Sequence, residues 1–179
     1  LRDGVVSYAV GGWSPPWGIE LRIDVVNAFV LLLVSLIATV VLLYAPASVD
    51  TEIAPRHQTM FYTAYMLCLT GLLGIAATGD AFNLFVFLEI SSLSSYVLIS
   101  MGKDRRALTA AYQYLVMGTI GATFILIGVG LMYMMTGTLN MDDLGSRLQL
   151  TPASGSRTVL VAFAFFSVGI FLKLALFPL

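Results

Sequence analysis

The sequence predicts an all-α integral membrane protein with about five transmembrane helices, and composition and the length of the apolar runs are the main reasons. Of the 179 residues, 59% are hydrophobic and 11% are charged, and the mean hydropathy is +0.93. A soluble domain carries about 25% charged residues, so this chain has too little polar surface for a soluble fold. Its apolar runs are about 20 residues long, which matches a hydrocarbon core of ~30 Å. Because these runs lack strand-like alternation, helices are expected rather than barrel strands.

The predicted elements follow one another with short connections. Residues 1–23 form a lead-in rich in Gly, Pro and Trp, which is typical of a loop in the aromatic belt at the membrane surface. Five spans are expected after it, at residues 24–44, 60–78, 81–100, 108–136 and 158–179. The segment between the last two spans is expected to lie at the surface as a short amphipathic stretch. Because the chain begins with Leu1 and its last apolar run stops at Leu179, we expect an N-terminal fragment of a longer polypeptide, truncated at its C-terminus.

The charges of the loops predict the orientation in the membrane. The Lys103–Arg106 loop, between the third and fourth spans, contains three basic residues and is expected in the cytoplasm, with the lead-in outside. The second and third spans are joined only by Thr78–Asp80, so they are expected to be antiparallel neighbours. Asp80 is expected to cap the third helix at its N-terminus.

Charge and side-chain chemistry exclude several classes of function. The formal net charge of −1 argues against nucleic acid as a partner. Cys68 is the only cysteine, which excludes an intrachain disulfide and a cysteine-based metal or iron–sulfur site. His57 is the only histidine and lies in a polar loop without clustered carboxylates, so we interpret it as a solvated loop residue. We therefore expect neither a metal nor a cofactor in this chain.

Glu89 lies near the middle of the apolar run 81–100. A charged side chain at this depth costs about 2.5–3.5 kcal/mol on insertion scales, and residues retained there usually mark a proton or ion path. Ser92 and Tyr96 follow at i+3 and i+7 on the same helical face, where their hydroxyls are suited to hold a water chain to the carboxylate. Alternatively, the serines only allow close packing and Glu89 makes one structural hydrogen bond. We favour a proton-transferring carboxylate.

Lys173 interrupts the last apolar run in the same way. Separating a buried lysine from a glutamate favours proton loss from the amine and proton uptake by the carboxylate, which is the chemistry of a proton relay. Pro178 is expected to break the helix, and broken helices beside charged residues are typical of ion sites in transporters. Alternatively, Lys173 extends its amine to the membrane surface from a truncated helix end.

The fourth predicted span is rich in small residues. Ala111, Leu115, Gly118 and Ala122 lie on one stripe, which favours close packing against another helix. Gln113 is the only amide in that span and is a candidate to extend a polar axis from Ser92 and Tyr96.

Three motifs, in this order, resemble one family of membrane proteins. The segment Thr78–Ile90 (TGDAFNLFVFLEI), with Tyr96 after it, resembles the glutamate-bearing helix of the proton-conducting antiporter-like subunits. The segment Ala110–Gly118 (AAYQYLVMG) resembles the helix that follows, and Leu172–Leu179 (LKLALFPL) is similar to the start of the family's lysine-bearing broken helix. The family comprises the D-type subunits of Mrp-type monovalent cation/proton antiporters and related membrane-arm subunits of respiratory complex I and membrane-bound hydrogenases. The opening segment 11–19 (GGWSPPWGI) is closest to the D-type branch.

The resemblance implies both a fold and a function. It implies part of the first half of an inverted-repeat fold, with Glu89 and Lys173 as the paired glutamate and lysine of a proton half-channel. It also implies a secondary transporter subunit, not an enzyme itself, that works with other membrane subunits in a prokaryotic cell membrane and exchanges protons for Na⁺ or K⁺. Many members carry a lysine where this chain has Gln113, which argues against an intermediate lysine site here. Two alternatives remain: a non-redox, proton-pumping subunit of a complex I or hydrogenase-type membrane arm, and a structural membrane scaffold.

Overall fold

A computed structural model describes residues 4–150 and 156–176 of the chain. Two short strands, β1 (Val6–Ala9) and β2 (Glu20–Ile23), precede the helices. The helices of the described part are α1 (Val25–Glu52), α2 (Pro55–Ala77), α3 (Ala81–Ser100), α4 (Arg105–Thr136), α5 (Met141–Leu150) and α6 (Arg157–Lys173).

Four of these helices, α1 to α4, are long and apolar enough to cross a membrane, judged over the described residues. Helix α6 is strongly apolar along its 17 residues. Large apolar side chains cover the outside of α1, and none of the 18 residues of its most apolar stretch is buried. This is expected for a helix that faces lipid or another protein. The predicted all-α membrane fold is confirmed.

Two helix ends differ from the predicted spans because proline acts differently at each. Pro46 lies inside α1, which continues to Glu52 although the predicted span stops at residue 44. Its neighbours Ala45 and Val49 are the buried residues of this helix, so packing holds the backbone helical despite the missing N–H group. Pro55, in contrast, starts α2 earlier than the predicted residue 60, because a proline at the first helical position loses no hydrogen bond.

The lead-in contains a β-hairpin that the sequence did not predict. Strands β1 and β2 pair antiparallel, from Val6 opposite Ile23 to Ala9 opposite Glu20. The intervening Trp13 and Trp17 are 71% and 87% exposed, as suits side chains at a membrane surface. The strands are only four residues long, and β2 is fixed in addition by a bridge from Leu21 to Thr78. This tertiary contact is what the local sequence pattern does not reveal.

Three distant segments meet at one end of the helices in what we call the polar junction, formed by Glu20, Gly79 and Asn140. The Gly79 N–H donates to the Glu20 carbonyl at 2.8 Å, and the Gly79 carbonyl accepts from the Met141 N–H at 2.9 Å. The amide of Asn140 donates to the Glu20 carboxylate at 2.7 Å, and the Ser7 hydroxyl donates to the same carboxylate. Glu20 is only 9% exposed, so these donors replace the water that its carboxylate loses. The junction ties the hairpin to the α2–α3 turn and to the start of α5.

Helix α5 lies across the adjacent ends of α4 and α6. Its Leu144 and Leu148 pack against a small apolar cluster that includes Met132 and Val159. The Arg147 guanidinium donates to the Thr136 carbonyl at the end of α4, lies 2.9 Å from the carboxylate of Asp143 and holds the pKa of that carboxyl below its usual range. The predicted amphipathic surface segment is therefore a helix over the described residues.

The opposite end of the helices carries the predicted cytoplasmic loop. The Lys103 amine donates to the Thr51 carbonyl near the end of α1. Asp104 caps α4 by accepting from the Arg106 N–H at 3.0 Å. The α1–α2 and α3–α4 connections therefore lie at the same end of the bundle, which we call the Lys103 end, whereas the polar junction lies at the other end.

Helices α4 and α6 cross closely because both carry glycine where they meet. A Cβ atom on Gly169 would lie 2.7 Å from the Gly121 carbonyl oxygen and 2.9 Å from the Ile125 nitrogen. Further along, a Cβ atom on Gly128 would lie 3.1 Å from the Ala162 carbonyl oxygen. Ala162 is 0% exposed, so the backbones of the two helices approach closely here, with Phe166 and Ile125 packed beside the glycines. The small residues of α4 thus serve helix packing, as predicted, although Leu115 of the predicted stripe is 37% exposed.

We expect Gly169→Ala to destabilise the α4–α6 crossing by about 1–3 kcal/mol, the usual cost of overpacking. The new methyl group meets backbone atoms of α4, which no side-chain rotation can move aside. Thermal unfolding of the purified full-length protein in detergent measures the effect. Gly145→Ala is the matched control, because a Cβ atom there meets nothing within 4 Å. Equal unfolding temperatures for the two variants would contradict the close crossing.

Candidate functional site

The structure brings Glu89, Ser92 and Lys173 together between α3 and α6. The Lys173 amine donates to Oε1 of Glu89 and to Oγ of Ser92, both at 2.8 Å. The side chains of Lys173 and Glu89 are 12% and 25% exposed, so the ion pair is largely, though not fully, enclosed. The amine therefore points to the carboxylate across the helices and not along α6 to the membrane surface.

Local structure explains how each side chain reaches this position. The Asp80 carboxylate caps α3, as predicted, by accepting from the Asn83 N–H at 2.7 Å, and this fixes the start of the helix. Glu89 then falls near the middle of α3. Lys173 is the last residue of α6 and follows Gly169 by one turn, on the same face as the close crossing with α4. Its positive charge at the C-terminal end is also favourable for the helix dipole.

Tyr96 lies beside this group, further along α3. It is 7% exposed, and its hydroxyl neighbours that of Ser92. Its ring packs edge-on against Tyr114 of α4, with 5.3 Å between the ring centroids. The residues of α3 at the predicted spacing therefore do share one face, directed towards α4 and α6.

The structure does not bring Gln113 to the group, which corrects the expectation that it extends the polar axis. Gln113 lies on an exposed face of α4. It precedes Gly121, the residue of α4 next to the Lys173 side chain, by two turns, or about 12 Å along the helix axis. A polar residue in an apolar helix has several faces available, and the sequence does not show which face is turned inwards. Pro178, the predicted helix break, lies outside the described residues.

An apolar cluster lies between the group and the polar junction, and the sequence reasoning missed it. Ala81, Ile125 and Val129 are buried there, and partly buried apolar side chains pack around them: Phe85, Leu88, Leu139 and Phe166. The uninterrupted apolar run 84–88 before Glu89 was the available signal. The surroundings of the Glu89–Lys173 pair are therefore polar towards the Lys103 end and apolar towards the polar junction.

The arrangement suits proton transfer better than metal binding. Within the described ranges 4–150 and 156–176, no group of three or more His, Cys, Asp and Glu side chains is placed to hold a metal ion. A carboxylate and an amine in direct contact, with little solvent between them, form a pair whose charges depend on each other. Each charge compensates the other at a place where an isolated charge costs several kcal/mol.

Known proteins with similar sequences and folds share this arrangement of helices. The model of the family described as NADH:quinone oxidoreductase/Mrp antiporter, transmembrane region, matches residues 78–179. The N-type subunit of the NADH-quinone oxidoreductase of Desulforudis audaxviator is 48% identical over 96% of this chain and 34% of its own length. The D-type subunit of the Na⁺/H⁺ antiporter of Bacillus subtilis is 33% identical over 100% of this chain and 35% of its own length.

Solved structures agree with the sequence relatives. A chain of the membrane-bound sulfane sulfur reductase, an archaeal respiratory membrane complex, matches with a TM-score of 0.83 and 36% identity, covering 94% of this chain and 33% of that chain. A chain of the Mrp complex from Dietzia sp. also matches with a TM-score of 0.83, at 29% identity, covering 99% of this chain and 32% of that chain. The chain thus spans about a third of the length of its relatives, and it belongs to the NADH:quinone oxidoreductase/Mrp antiporter family of transmembrane subunits.

Proposed function

We propose that the protein translocates protons as a subunit of a multisubunit monovalent cation/proton antiporter. The observation that carries the proposal is the contact at 2.8 Å between the Lys173 amine and the carboxylate of Glu89, which is the only charged residue within α3. The pair acts as part of a proton half-channel, in which Glu89 modulates the charge of Lys173. Ser92 supports this role, because its hydroxyl accepts from the same amine and offers the proton a second acceptor.

The relatives support a multisubunit complex. They are named as subunits of Na⁺/H⁺ antiporters and of NADH-quinone oxidoreductases, and the matching structures are complexes of membrane subunits. The partners of this chain are therefore other membrane subunits, and Na⁺ or K⁺ is the exchanged cation. The complex lies in a prokaryotic cell membrane, with the Lys103–Arg106 loop in the cytoplasm.

A second candidate is a proton-pumping subunit in the membrane arm of a redox-driven complex. The relative at 48% identity, which is named as part of an NADH-quinone oxidoreductase, favours it. The Glu89–Lys173 pair performs the same proton transfer in both candidates. They differ in the source of energy, which is a cation gradient in the first and electron transfer in other subunits in the second.

Exchange in everted vesicles that carry the complete complex tests the proposal. A pH gradient is imposed by ammonium diffusion, without an electron donor, and NaCl, KCl or choline chloride is then added. We expect NaCl or KCl to collapse the gradient and choline chloride to leave it intact. Proton movement only after addition of an electron donor would support the redox-driven candidate instead. No proton movement under either condition would leave the structural scaffold as the remaining interpretation.

A further inference from the structure

We propose that the Tyr96 hydroxyl carries protons between the Glu89–Lys173 pair and the Lys103 end, and that Gly118 positions this hydroxyl. The proposal rests on the proposed function, because it assigns the next groups on the proton path of the same site. Neither the polar axis expected from the sequence nor the small-residue stripe of α4 identifies this pair of residues as a unit.

The contact between Tyr96 and Gly118 is close. A Cβ atom on Gly118 would overlap the Tyr96 hydroxyl oxygen and lie 2.8 Å from Cζ of the ring. Any residue other than glycine at this place on α4 therefore displaces the tyrosine. Tyr114, packed edge-on at 5.3 Å between centroids, holds the ring from another side. The hydroxyl thus lies next to Ser92, in space that α4 leaves open by carrying glycine at this position.

The polar groups of α3 continue in one direction only. Glu89, Ser92, Tyr96 and Ser100 follow at i, i+3, i+7 and i+11, so they form one helical stripe. Eleven residues at ~1.5 Å each span about 16 Å, or half of a hydrocarbon core of ~30 Å. The stripe therefore has the length needed to join a group near mid-membrane to the membrane surface.

The two ends of this path differ in polarity. Ser100 lines an open groove of about 530 Å³ at the Lys103 end, together with the charged side chains of Asp50, Glu52 and Lys103. In the other direction, the buried apolar cluster of Ile125 and Val129, with Phe85 and Leu88, separates Glu89 from the polar junction. Towards the Lys103 end the path contains the hydroxyls of Ser92, Tyr96 and Ser100, and Tyr96 and Ser100 line one groove whose other walls are mostly apolar. Towards the junction the side chains next to the pair are apolar.

The proposed proton transfer from Lys173 to water conserves atoms and charge and needs no redox partner. The Lys173 amine gives a proton to the Ser92 oxygen, the Ser92 hydroxyl proton passes to the Tyr96 oxygen, and the Tyr96 hydroxyl proton passes to the first molecule of a water chain that leads to Ser100. One N–H and two O–H bonds break, and three O–H bonds form. Lysine becomes neutral, water becomes hydronium, and both hydroxyls remain neutral. Rotation of the hydroxyls then restores the starting arrangement.

Tyr96→Phe, Gly118→Ala and the double variant test the proposal in vesicles with the complete complex. Tyr96→Phe keeps the ring and removes the proton-carrying hydroxyl, so we expect the maximal exchange rate to fall about 100-fold, as for the loss of another positioned proton carrier. The cation concentration for half-maximal exchange should stay unchanged, because no cation contact is altered. Gly118→Ala should slow exchange to a similar degree by displacing the hydroxyl. The double variant should be no slower than Tyr96→Phe alone.

The controls separate this proposal from helix packing and from the proposed function. Gly130→Ala, on the same helix with nothing within 4 Å of the new Cβ atom, should exchange like the wild type. A wild-type rate in Tyr96→Phe would overturn the role of the hydroxyl. Additive losses in the double variant would show that Gly118 acts through packing and would overturn its positioning role. Glu89→Gln is measured alongside. If this variant exchanges normally, the proposed function itself is wrong. If it is inactive while Tyr96→Phe is fully active, only the inference about Tyr96 is wrong.

Discussion

Lys173→Arg should abolish proton exchange while the protein still folds and assembles. Arginine keeps the positive charge, so it still pairs with Glu89 across the 2.8 Å contact that lysine makes. It does not release its proton at accessible pH, whereas lysine becomes neutral when the pair separates. Because a positioned proton carrier contributes about 100-fold or more to a transfer step, we expect a loss of at least this size. Proton/cation exchange in vesicles with the complete complex measures it.

Lys103→Arg is the matched control for this substitution. Lys103 is exposed at the end of the bundle and donates to the Thr51 carbonyl, a contact that arginine is able to keep. This variant should exchange at the wild-type rate. If Lys173→Arg did the same, Lys173 would be an electrostatic anchor for Glu89 and the proton path would lie elsewhere.

Glu89→Gln should reduce exchange by about 100-fold or more with membrane insertion intact, since it also removes a proton-transferring group. The amide keeps the shape of the carboxylate but accepts no proton, and it leaves the Lys173 amine without its counter-charge in a site that exposes only 12% of that side chain. An uncompensated charge in such a place costs several kcal/mol, so the variant loses the ion pair on which the proposed transfer depends. The measurement is again exchange in vesicles, with the amount of assembled complex determined in parallel.

Two further variants sharpen the interpretation of Glu89→Gln. Glu89→Asp keeps the negative charge on a shorter side chain and should retain part of the activity. Asp24→Asn removes a carboxylate from the start of α1, keeps a side chain that also caps a helix, and should change little. A fully active Glu89→Gln variant would reduce Glu89 to a structural hydrogen-bond acceptor, which is the alternative that the sequence left open.

The energetic cost of placing a charge in an apolar run made the central residues of the site identifiable from the sequence. A charge inside an apolar run requires a partner, so Glu89 and Lys173 stand out without any structural information, and the helical period adds Ser92 and Tyr96 to the same face. Gln113 was misplaced because an uncharged amide pays a smaller cost and does not have to point inwards. The role of glycine in making room for a neighbour across a helix crossing, as at Gly118, depends on coordinates that no single sequence contains.

The elements of the fold that depend on local sequence were predicted, whereas those that depend on contacts with distant residues were not. Hydropathy identified the membrane helices, because each run must satisfy its own backbone in lipid. The hairpin of β1 and β2 was missed because its second strand is held by backbone contacts to Thr78 and Gly79, far along the chain. The length of α1 was underestimated because buried neighbours of Pro46 keep the helix continuous where the residue type alone favours a stop.

The polar junction has a consequence for biosynthesis. The Glu20 carboxylate is hydrogen-bonded to Asn140, a residue 120 positions later in the chain. At about 5–20 residues per second, a ribosome needs roughly 6–24 s to synthesise that stretch. Until Asn140 emerges, the carboxylate lacks this donor, although the backbone contacts of the second strand to Thr78 and Gly79 are already available. The polar junction is therefore completed only after the fourth helix has been synthesised, which makes the first strands one of the last parts of this end to be fixed.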